Sequence, residues 1–299
     1  MTAPLSLADL NACPASVFAA QLADVFEHAP WVAAQAAAQR PFATADALHT
    51  AMLAIVGALP EDARVAVFCG HPELAGPAAR TGAMTPDSIR EQGALALDRL
   101  PHEEEAWWDR LNAAYRTRFG FPFILCARHY TVAAMRQVFA QRLGNSREAE
   151  IAATLREIGL ITRYRLAARI ADHGLADLEG RLTTHVLDTS RGQPAQGLRL
   201  ALHQVDSALP CSTGAALIET VTDSHGQTGA PLISGQPLRI GRYELRFHVG
   251  DYFRSIGAVD GPWPFLDVVP IVFSIDEPTG DYHVPLTITP WAYATYRGQ

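Results

Sequence analysis

The chain has 299 residues, of which 48% are hydrophobic and 18% charged, and its formal net charge is −7. This length fits two domains of the usual ~100–200 residues, each with its own hydrophobic core. The negative charge argues against nucleic acid or an anionic membrane as a partner, and leaves a small anionic substrate possible where a local arginine attracts it.

The first half reads as a series of helices, because its apolar residues recur at spacings of three and four. Start and stop signals place the helix ends. They predict caps at Ser16 and Thr44, a start at Thr85 before Pro86, helices over 103–119 and 131–143, and a long helix from Ser146 to His173–Gly174. An all-α domain is therefore predicted over residues 1–173.

After a predicted linker at 174–181, the pattern changes to short strand-like runs separated by turn signals. The runs cover 182–187, 198–203, 215–222, 243–249, 268–275 and 282–289. Short antiparallel strands at this spacing predict a β-sandwich over residues 182–299. The expected fold class is thus multidomain, with an α domain followed by a β domain.

The cellular compartment is also suggested by the sequence. No apolar run approaches the ~18–20 residues of a membrane span, and residues 1–10 lack the basic start of a secretory signal. The four cysteines contain no Cys-x-x-Cys pair and are scattered over both halves, at Cys13, Cys69, Cys126 and Cys211. Reduced thiols in a cytoplasm are the simplest interpretation, and we expect no membrane partner.

Candidate chemistry in the first half centres on His71 and Glu91. His71 lies in a glycine-flanked loop before Pro72, and Glu91 follows 91 − 71 = 20 positions later, one helical turn after Ser88. An imidazole beside a carboxylate suits a general acid–base. The alternative is a buried histidine satisfied by a glutamate near a helix start. Cys69 is interpreted as a packed free thiol rather than a nucleophile.

Five ordered motifs in this half resemble the OHCU decarboxylases of urate breakdown. They are HPELAG (71–76), SIREQ (88–92), LNAAYRTRFGFPF (111–123), CAR (126–128) and LGNSRE (143–148). The resemblance covers nearly all of residues 1–173 and implies an all-helical, cofactor-free and usually dimeric enzyme. It places catalytic groups at His71 and Glu91, and substrate-holding or pocket-wall residues at Pro72, Ser88, Gln92, Phe123, Cys126 and Arg165.

The resemblance also implies a reaction. OHCU, which is 2-oxo-4-hydroxy-4-carboxy-5-ureidoimidazoline, loses CO2 to give (S)-allantoin. The electron pair left by CO2 is delocalised into the substrate ring, so no cofactor is expected. Arg165 would grip an anionic or carbonyl group of the substrate, and His71, polarised by Glu91, would move the hydroxyl proton.

Three histidines stand out in the second half: His185, His203 and His283. They could bind zinc, but widely separated histidines on strands are weak evidence for a metal site, and none is expected. They could also simply fill half-polar strand positions. The residues alone leave these alternatives open.

Motifs around two of these histidines resemble 5-hydroxyisourate hydrolase, the transthyretin-related enzyme. The motifs are LTTHVLD (182–188), GRYEL through GDYF (241–253), and YHVPL running into YATYRG (282–298). The resemblance implies that His185 and His283 activate water for attack on a ring carbonyl. It also implies that the tail lines the pocket at a tetramer interface, through Tyr296, Arg297 and Gly298.

Two positions depart from that family's pattern. Its Asp-Gly-Arg turn reads His225-Gly226-Gln227 here, and its final serine is Gln299. Gln227 can donate hydrogen bonds in the pocket but carries no charge. Loss of a charged donor to an oxyanion typically costs ~2.7–4 kcal/mol of transition-state stabilisation.

The two implied activities are consecutive, with hydrolysis before decarboxylation. The sequence therefore predicts a bifunctional enzyme that acts on the small molecules 5-hydroxyisourate and OHCU. It also predicts a homo-oligomer, dimeric through the α domain and tetrameric through the β domain. The alternative is a decarboxylase whose β-sandwich is a non-catalytic oligomerisation or ligand-binding module. Gln227 favours that alternative, whereas His185, His283 and the tail favour the hydrolase.

Overall fold

A computed structural model describes residues 4–97, 99–205, 211 and 214–298. The chain divides into two compact units. The first consists of the residues up to Arg128 together with Met135–Ala176, and the second of His129–Ala134 together with the residues from Asp177 on. Residues 129–134, which the sequence pattern assigns to the first half, are tied to the second by hydrogen bonds of 3.0 and 2.7 Å with the backbone of Ile240.

Helices dominate the first half of the chain. Their bounds are α1 Leu7–Ala12, α2 Ala15–Gln21, α3 Pro30–Ala36, α4 Ala45–Gly57, α5 Glu61–Cys69, α6 Pro77–Thr81, α7 Pro86–Gly93, α8 His102–Phe119, α9 Val132–Arg142 and α10 Arg147–Ala167. None of the described helices is both long and apolar enough to cross a membrane.

Most predicted helix ends are confirmed. The side chains of Thr44, Thr85 and Ser146 each accept a hydrogen bond from the N–H three residues on, as N-caps do. Gly120, with φ +78°, ends α8 in the left-handed conformation that glycine adopts without a Cβ clash.

Two predicted ends are wrong. Ser16 does not cap α2, because the helix already begins at Ala15 after the N-cap residue Pro14. The helix α10 ends at Ala167 rather than at 173–174, because Ile170–Ala171 (β2) pairs in parallel with Leu5–Ser6 (β1). The first half is therefore helical apart from this two-stranded sheet.

A cluster of aromatic side chains forms part of the hydrophobic core of the first unit. Tyr115 of α8 meets Phe123 edge-on at a centroid distance of 5.3 Å, and Phe123 stacks on Phe139 of α9 at 3.9 Å. These rings are fully buried, and aromatic side chains contribute large apolar areas to a core. The packing fixes the extended segment that follows Gly120, which forms one wall of the cleft described below.

Strands dominate the second unit. They are β3 Gly180–Thr183, β4 Val186–Asp188, β5 Gln193–Pro194, β6 Arg199–Val205, β7 Ile218–Val221, β8 Ile233–Gln236, β9 Gly241–Phe247, β10 Val269–Ile275, β11 Asp281–His283, β12 Leu286–Ile288 and β13 Tyr293–Thr295. The sheet orders are β10-β9-β6-β7, β11-β3-β8 and β13-β12-β4-β5.

The predicted strand-rich fold is confirmed, with two differences in detail. The pairs β11–β3 and β12–β4 run parallel, so the sheets are not purely antiparallel. The predicted strand over 243–249 ends at Phe247, and a helix, α11 (Val249–Ser255), begins at its last predicted residue. This helix buries Tyr252 and Phe253, and the Tyr252 hydroxyl donates to Asp188 Oδ2 at 3.1 Å. Side-chain burial thus overrides the local strand pattern.

A tight turn next to β4 requires glycine at position 226. Gly226 has φ +71°, and a Cβ there would lie 2.3 Å from the carbonyl oxygen of Val186. We predict that Gly226→Ala lowers the free energy of unfolding by about 2 kcal/mol or more, because strain and a backbone clash add. Urea unfolding of the purified chain would measure this.

Gly229→Ala is the matched control, since no atom lies within 4 Å of the position of its Cβ. Its effect should stay within about 0.5 kcal/mol, as for most surface substitutions. Equal effects of the two substitutions would contradict the assigned role of Gly226.

Candidate functional site

A cleft in the first unit collects most of the candidates from this half of the sequence. It encloses about 360 Å³ of space free of protein atoms, a volume that includes open solvent at its mouth. Its lining includes His71, Pro72, Ser88, Glu91, Gln92, Phe123 and Arg165, together with Leu74, Ile124, Leu125, Ala127 and Ile161.

The elements around the cleft explain these positions. Ser88, Glu91 and Gln92 come from α7, whose start is set by the Thr85 cap. Gln92 is held by its side-chain oxygen, which accepts from the Ala75 N–H at 3.0 Å. The same interaction holds the loop after His71 against the helix.

Arg165 is the centre of a buried ion network. Its Nε and Nη2 donate to the two carboxylate oxygens of Glu91, at 3.0 and 2.8 Å. Its Nη1 forms an ion pair with Glu27, and its Nη2 also donates to Ser88 Oγ at 3.1 Å. Thr85 Oγ1 donates to Glu27 at 2.6 Å. The two contacts of Arg165 with Glu91 make a bidentate pair, which is the strong form of an arginine–carboxylate interaction.

The expected pairing of His71 with Glu91 is not formed. Both ring nitrogens of His71 are buried without a hydrogen-bond partner, whereas Glu91 is held by Arg165. A charged guanidinium that bonds both carboxylate oxygens is a better partner than a neutral imidazole. Burial lowers the pKa of His71 to about 4, a shift that Arg165 reinforces and Glu27 opposes. The resting imidazole is therefore neutral.

Glu27 is the component that the sequence analysis missed. It lies in the turn before α3, is only 2% exposed, and accepts from the Ser88 hydroxyl at 3.0 and 3.1 Å. Arg165 lowers the pKa of its carboxyl against the opposing effect of burial, so Glu27 is a charged member of the network. No local signal distinguishes Glu27 from the nearby Asp24, and its partner Arg165 lies 138 positions later.

Cys126 is not among the described residues that line the cleft. Its backbone N–H donates to Glu157 at 2.8 Å, and Leu125 and Ala127 on either side line the cleft. Burial raises the pKa of its thiol, which is therefore protonated at neutral pH. A contact between Cys126 and substrate stays a prediction.

The second unit brings His185 and His283 into direct contact. His185 Nδ1 lies 2.7 Å from His283 Nε2, and the rings stack with centroids 4.8 Å apart. Thr183 Oγ1 lies 2.8 Å from His283 Nδ1, so the two imidazoles and one hydroxyl form a chain. Burial and the neighbouring His185 lower the pKa of His283, which favours the neutral base.

A cleft of about 880 Å³, a volume that includes open solvent at its mouth, lies beside the two histidines. His283, Thr183 and Gln227 line it, and so do Arg181, Thr184, Thr228, Gly229, Ala230, Pro231 and Asp281. The backbone N–H of Gln227 donates to Asp223 Oδ1 at 3.0 Å and holds the turn at this residue. The backbone of Gln227 also forms an isolated antiparallel β-bridge with His185.

The predicted tail residues also reach His283. The Gly298 N–H donates to the His283 carbonyl oxygen at 2.9 Å. The Arg297 guanidinium lies 4.9 Å from the ring centroid of Tyr282, and Tyr296 lines a second cleft together with Arg297 and His283. Gln299, the other departure from the family pattern, lies outside the described residues.

His203 does not belong with the other two histidines. Its Nδ1 lies 3.2 Å from the Gly214 carbonyl oxygen. Across the described part of the chain, no group of three or more His, Cys, Asp or Glu side chains is placed to hold a metal ion.

Comparison with known proteins assigns each half of the chain to a protein family. The OHCU decarboxylase family model matches residues 11–167, and the model of the HIUase/Transthyretin family matches residues 182–298. The chain belongs to both families.

Individual relatives agree with this membership. A 5-hydroxyisourate hydrolase of Deinococcus radiodurans is 52% identical over 117 residues, which cover 39% of this chain and 94% of the relative. A 2-oxo-4-hydroxy-4-carboxy-5-ureidoimidazoline decarboxylase of Halalkalicoccus jeotgali is 34% identical over 162 residues, which cover 54% of this chain and 90% of the relative. A crystal structure of (S)-allantoin synthase, 33% identical, matches 99% of this chain and 100% of its own with a TM-score of 0.50.

The ion network generates a prediction about Glu27. Glu27→Gln keeps the shape of the side chain but removes the charge from the buried pair with Arg165. Breaking such a pair costs about 3 kcal/mol, so we expect a loss of that order in the free energy of unfolding. Decarboxylation of OHCU should fall as well, because Arg165 and Ser88 lose a shared anchor. Urea unfolding and the rate of CO2 release measure the two effects.

Glu61→Gln is the matched control. Its carboxylate pairs with Arg147 at 2.7 Å, but the Glu61 and Arg147 side chains are 57% and 48% exposed. Exposed pairs contribute about 0–1 kcal/mol, so this variant should resemble the wild type. A Glu27→Gln protein as stable and active as Glu61→Gln would show that the network is dispensable.

Proposed function

We propose that the chain is a bifunctional enzyme of urate breakdown. The β domain (residues 182–299) would hydrolyse 5-hydroxyisourate to OHCU, and the α domain (residues 1–173) would decarboxylate OHCU to (S)-allantoin. One observation carries this proposal: each half contains its own acid–base centre, and each centre lies in the half that belongs to the family named for that step.

Decarboxylation begins with a neutral His71, whose unpartnered nitrogen accepts the proton of the substrate hydroxyl. The bond to the carboxylate carbon then breaks, CO2 leaves, and the ring takes the electron pair before it is reprotonated. Ser88 and Gln92 line the cleft beside His71 and would orient the substrate.

Substrate binding must also rearrange Arg165. In the resting cleft Glu27, Glu91 and Arg165 sum to a charge of −1, which disfavours an anionic ligand. Glu27 is the permanent partner, since its side chain is only 1% exposed, whereas that of Glu91 is 14% exposed. We infer that a substrate anion replaces Glu91 on Arg165. The released carboxylate is then free to assist His71, as the family resemblance expects.

Hydrolysis uses the His185–His283–Thr183 chain. His185 takes a proton from water through Nε2, the ring nitrogen outside these contacts, as the water attacks the ring carbonyl of 5-hydroxyisourate. The second imidazole and the Thr183 hydroxyl fix its tautomer through the 2.7 and 2.8 Å contacts. Gln227 would donate hydrogen bonds to the bound substrate.

We further infer a cytoplasmic homo-oligomer. All four cysteines are free, as reducing compartments require. Trp291, Tyr293 and Tyr296 are 68%, 45% and 61% exposed on the C-terminal segment, and clustered exposed aromatics indicate an interaction surface. A dimer through the α domain and a tetramer through the β domain are the assemblies proposed.

Two single variants should separate the activities. His71→Ala should lower decarboxylation about 100-fold or more, the usual contribution of a general acid–base, and leave hydrolysis unchanged. His185→Ala should do the reverse. Hydrolysis is followed by the absorbance of freshly made 5-hydroxyisourate, and stereoselective allantoin formation by circular dichroism.

Each variant is the folding control for the other activity. A His185→Ala protein with wild-type hydrolysis would leave the β domain as a non-catalytic module, the alternative that Gln227 favours. Wild-type decarboxylation by His71→Ala would contradict the assignment of the α domain.

The pH dependence of decarboxylation tests the state of His71. Its pKa of about 4 lies below the ordinary value of 6.5, so the imidazole stays neutral as pH falls through 6.5. We expect the acid limb of the kcat/KM profile, which reports the free enzyme, to fall near pH 4 to 5. Circular dichroism at each pH confirms folding. A limb centred near 6.5 would show that His71 is solvated or paired.

A further inference from the structure

We propose that Arg181 supplies the positive charge of the hydrolase cleft, in which Gln227 supplies none. The inference rests on the proposed hydrolysis and names the group that stabilises the charge developing on the substrate. Arg181 is the only lysine or arginine among the described residues that line this cleft.

The strand β3 places Arg181 beside the histidine pair. Successive side chains of a strand alternate in direction, so Arg181 and Thr183 share a face. Thr183 is the residue whose hydroxyl contacts His283 at 2.8 Å. In the parallel pairing of β3 with β11, Arg181 lies opposite Asp281 and Thr183 opposite His283. Arg181 is therefore two positions along the strand from the catalytic contact.

Gln227 faces the same cleft from a different segment. Its bridge with His185 puts it at the other end of the histidine chain. A substrate that contacts His283 in this cleft thus lies between a neutral amide donor and a guanidinium. Gln227 carries no positive charge, whereas Arg181 of β3 does.

Two other arginines of the unit are poor substitutes. Arg246 is held by Glu244, with contacts of 3.0 and 3.1 Å to its two carboxylate oxygens. Arg297 lies over the ring of Tyr282 and lines the second cleft. Arg181 is exposed and is not held in an arrangement of either kind.

The reaction develops negative charge at this place. As water adds to the ring carbonyl, the carbonyl oxygen becomes an oxyanion while the His185–His283 pair takes the water proton through His185. The ring C–N bond then breaks, the nitrogen receives that proton, and the new carboxyl group ionises. A guanidinium can stabilise both the oxyanion and the carboxylate product.

Arg181 also affects His283 directly. Burial lowers the pKa of His283 most, His185 and Arg181 lower it further, and Asp281 raises it. A substitution that removes the guanidinium should therefore move the acid limb of the hydrolysis profile to higher pH. Arg181→Lys, which keeps the positive charge, should leave that limb in place.

The test compares Arg181→Gln with Arg181→Lys in the full chain, with 5-hydroxyisourate as substrate. Arg181→Gln should lower kcat/KM about tenfold or more, less than the loss of a buried oxyanion donor because the site is open to water. Arg181→Lys should retain most activity, since it keeps the charge. The deficit should shrink at high salt, which screens an exposed charge.

A second variant moves the charge across the cleft. Adding Gln227→Arg to Arg181→Gln should restore at least about half of the lost rate on a logarithmic scale, because a cation again faces the substrate. Arg199→Gln is the matched control, since Arg199 is an exposed arginine of β6 that pairs with Asp251 at 3.0 Å outside the cleft. This control should hydrolyse at the wild-type rate.

The outcomes are distinct. Wild-type hydrolysis by Arg181→Gln would overturn this inference and leave the proposed function standing. Equal losses in Arg181→Gln and Arg181→Lys without recovery in the double variant would indicate a structural role and also overturn it. A wild-type chain without hydrolase activity, but with decarboxylase activity, would overturn the proposed hydrolysis itself.

Discussion

The buried position of Arg165 is the constraint on which the first unit depends. An unpaired guanidinium at 3% exposure is costly, so the fold must bring carboxylates to it. Glu27 comes from the turn before α3, and Glu91 and Ser88 come from α7, so one side chain of α10 connects three segments far apart in sequence. The cleft opens where these segments meet.

The two clefts keep an imidazole neutral in different ways. In the first unit, charged groups are buried and leave His71 neutral without a partner. In the second, two imidazoles and a hydroxyl are linked in a row, and the only cationic side chain among the described lining residues is exposed on a strand. Both arrangements keep an imidazole uncharged near neutral pH, as proton abstraction requires.

The sequence predicted what is local and missed what is distant. Caps such as Thr85 and Gly120 were readable because their chemistry lies within a few residues. Glu27 was not, because its partner Arg165 is 138 positions away and no spacing rule links them. The expected pair of His71 and Glu91 failed for the same reason, since a distant guanidinium outcompeted the imidazole. Motif resemblance found His71, Glu91 and most of the polar residues of the first cleft, but only His283 and Gln227 of the second, and it could not give their pairings.

The parallel strand pairs have a consequence for the order in which the protein is made. β11 pairs with β3 and β12 with β4, and the two histidines that touch are 98 positions apart. Contacts this distant form slowly and only after the later segment exists. On the ribosome, the first cleft has all its residues once Arg165 has emerged, whereas the histidine pair must wait for β11. The enzyme that is proposed to act second in the reaction sequence is therefore the one whose site can assemble first.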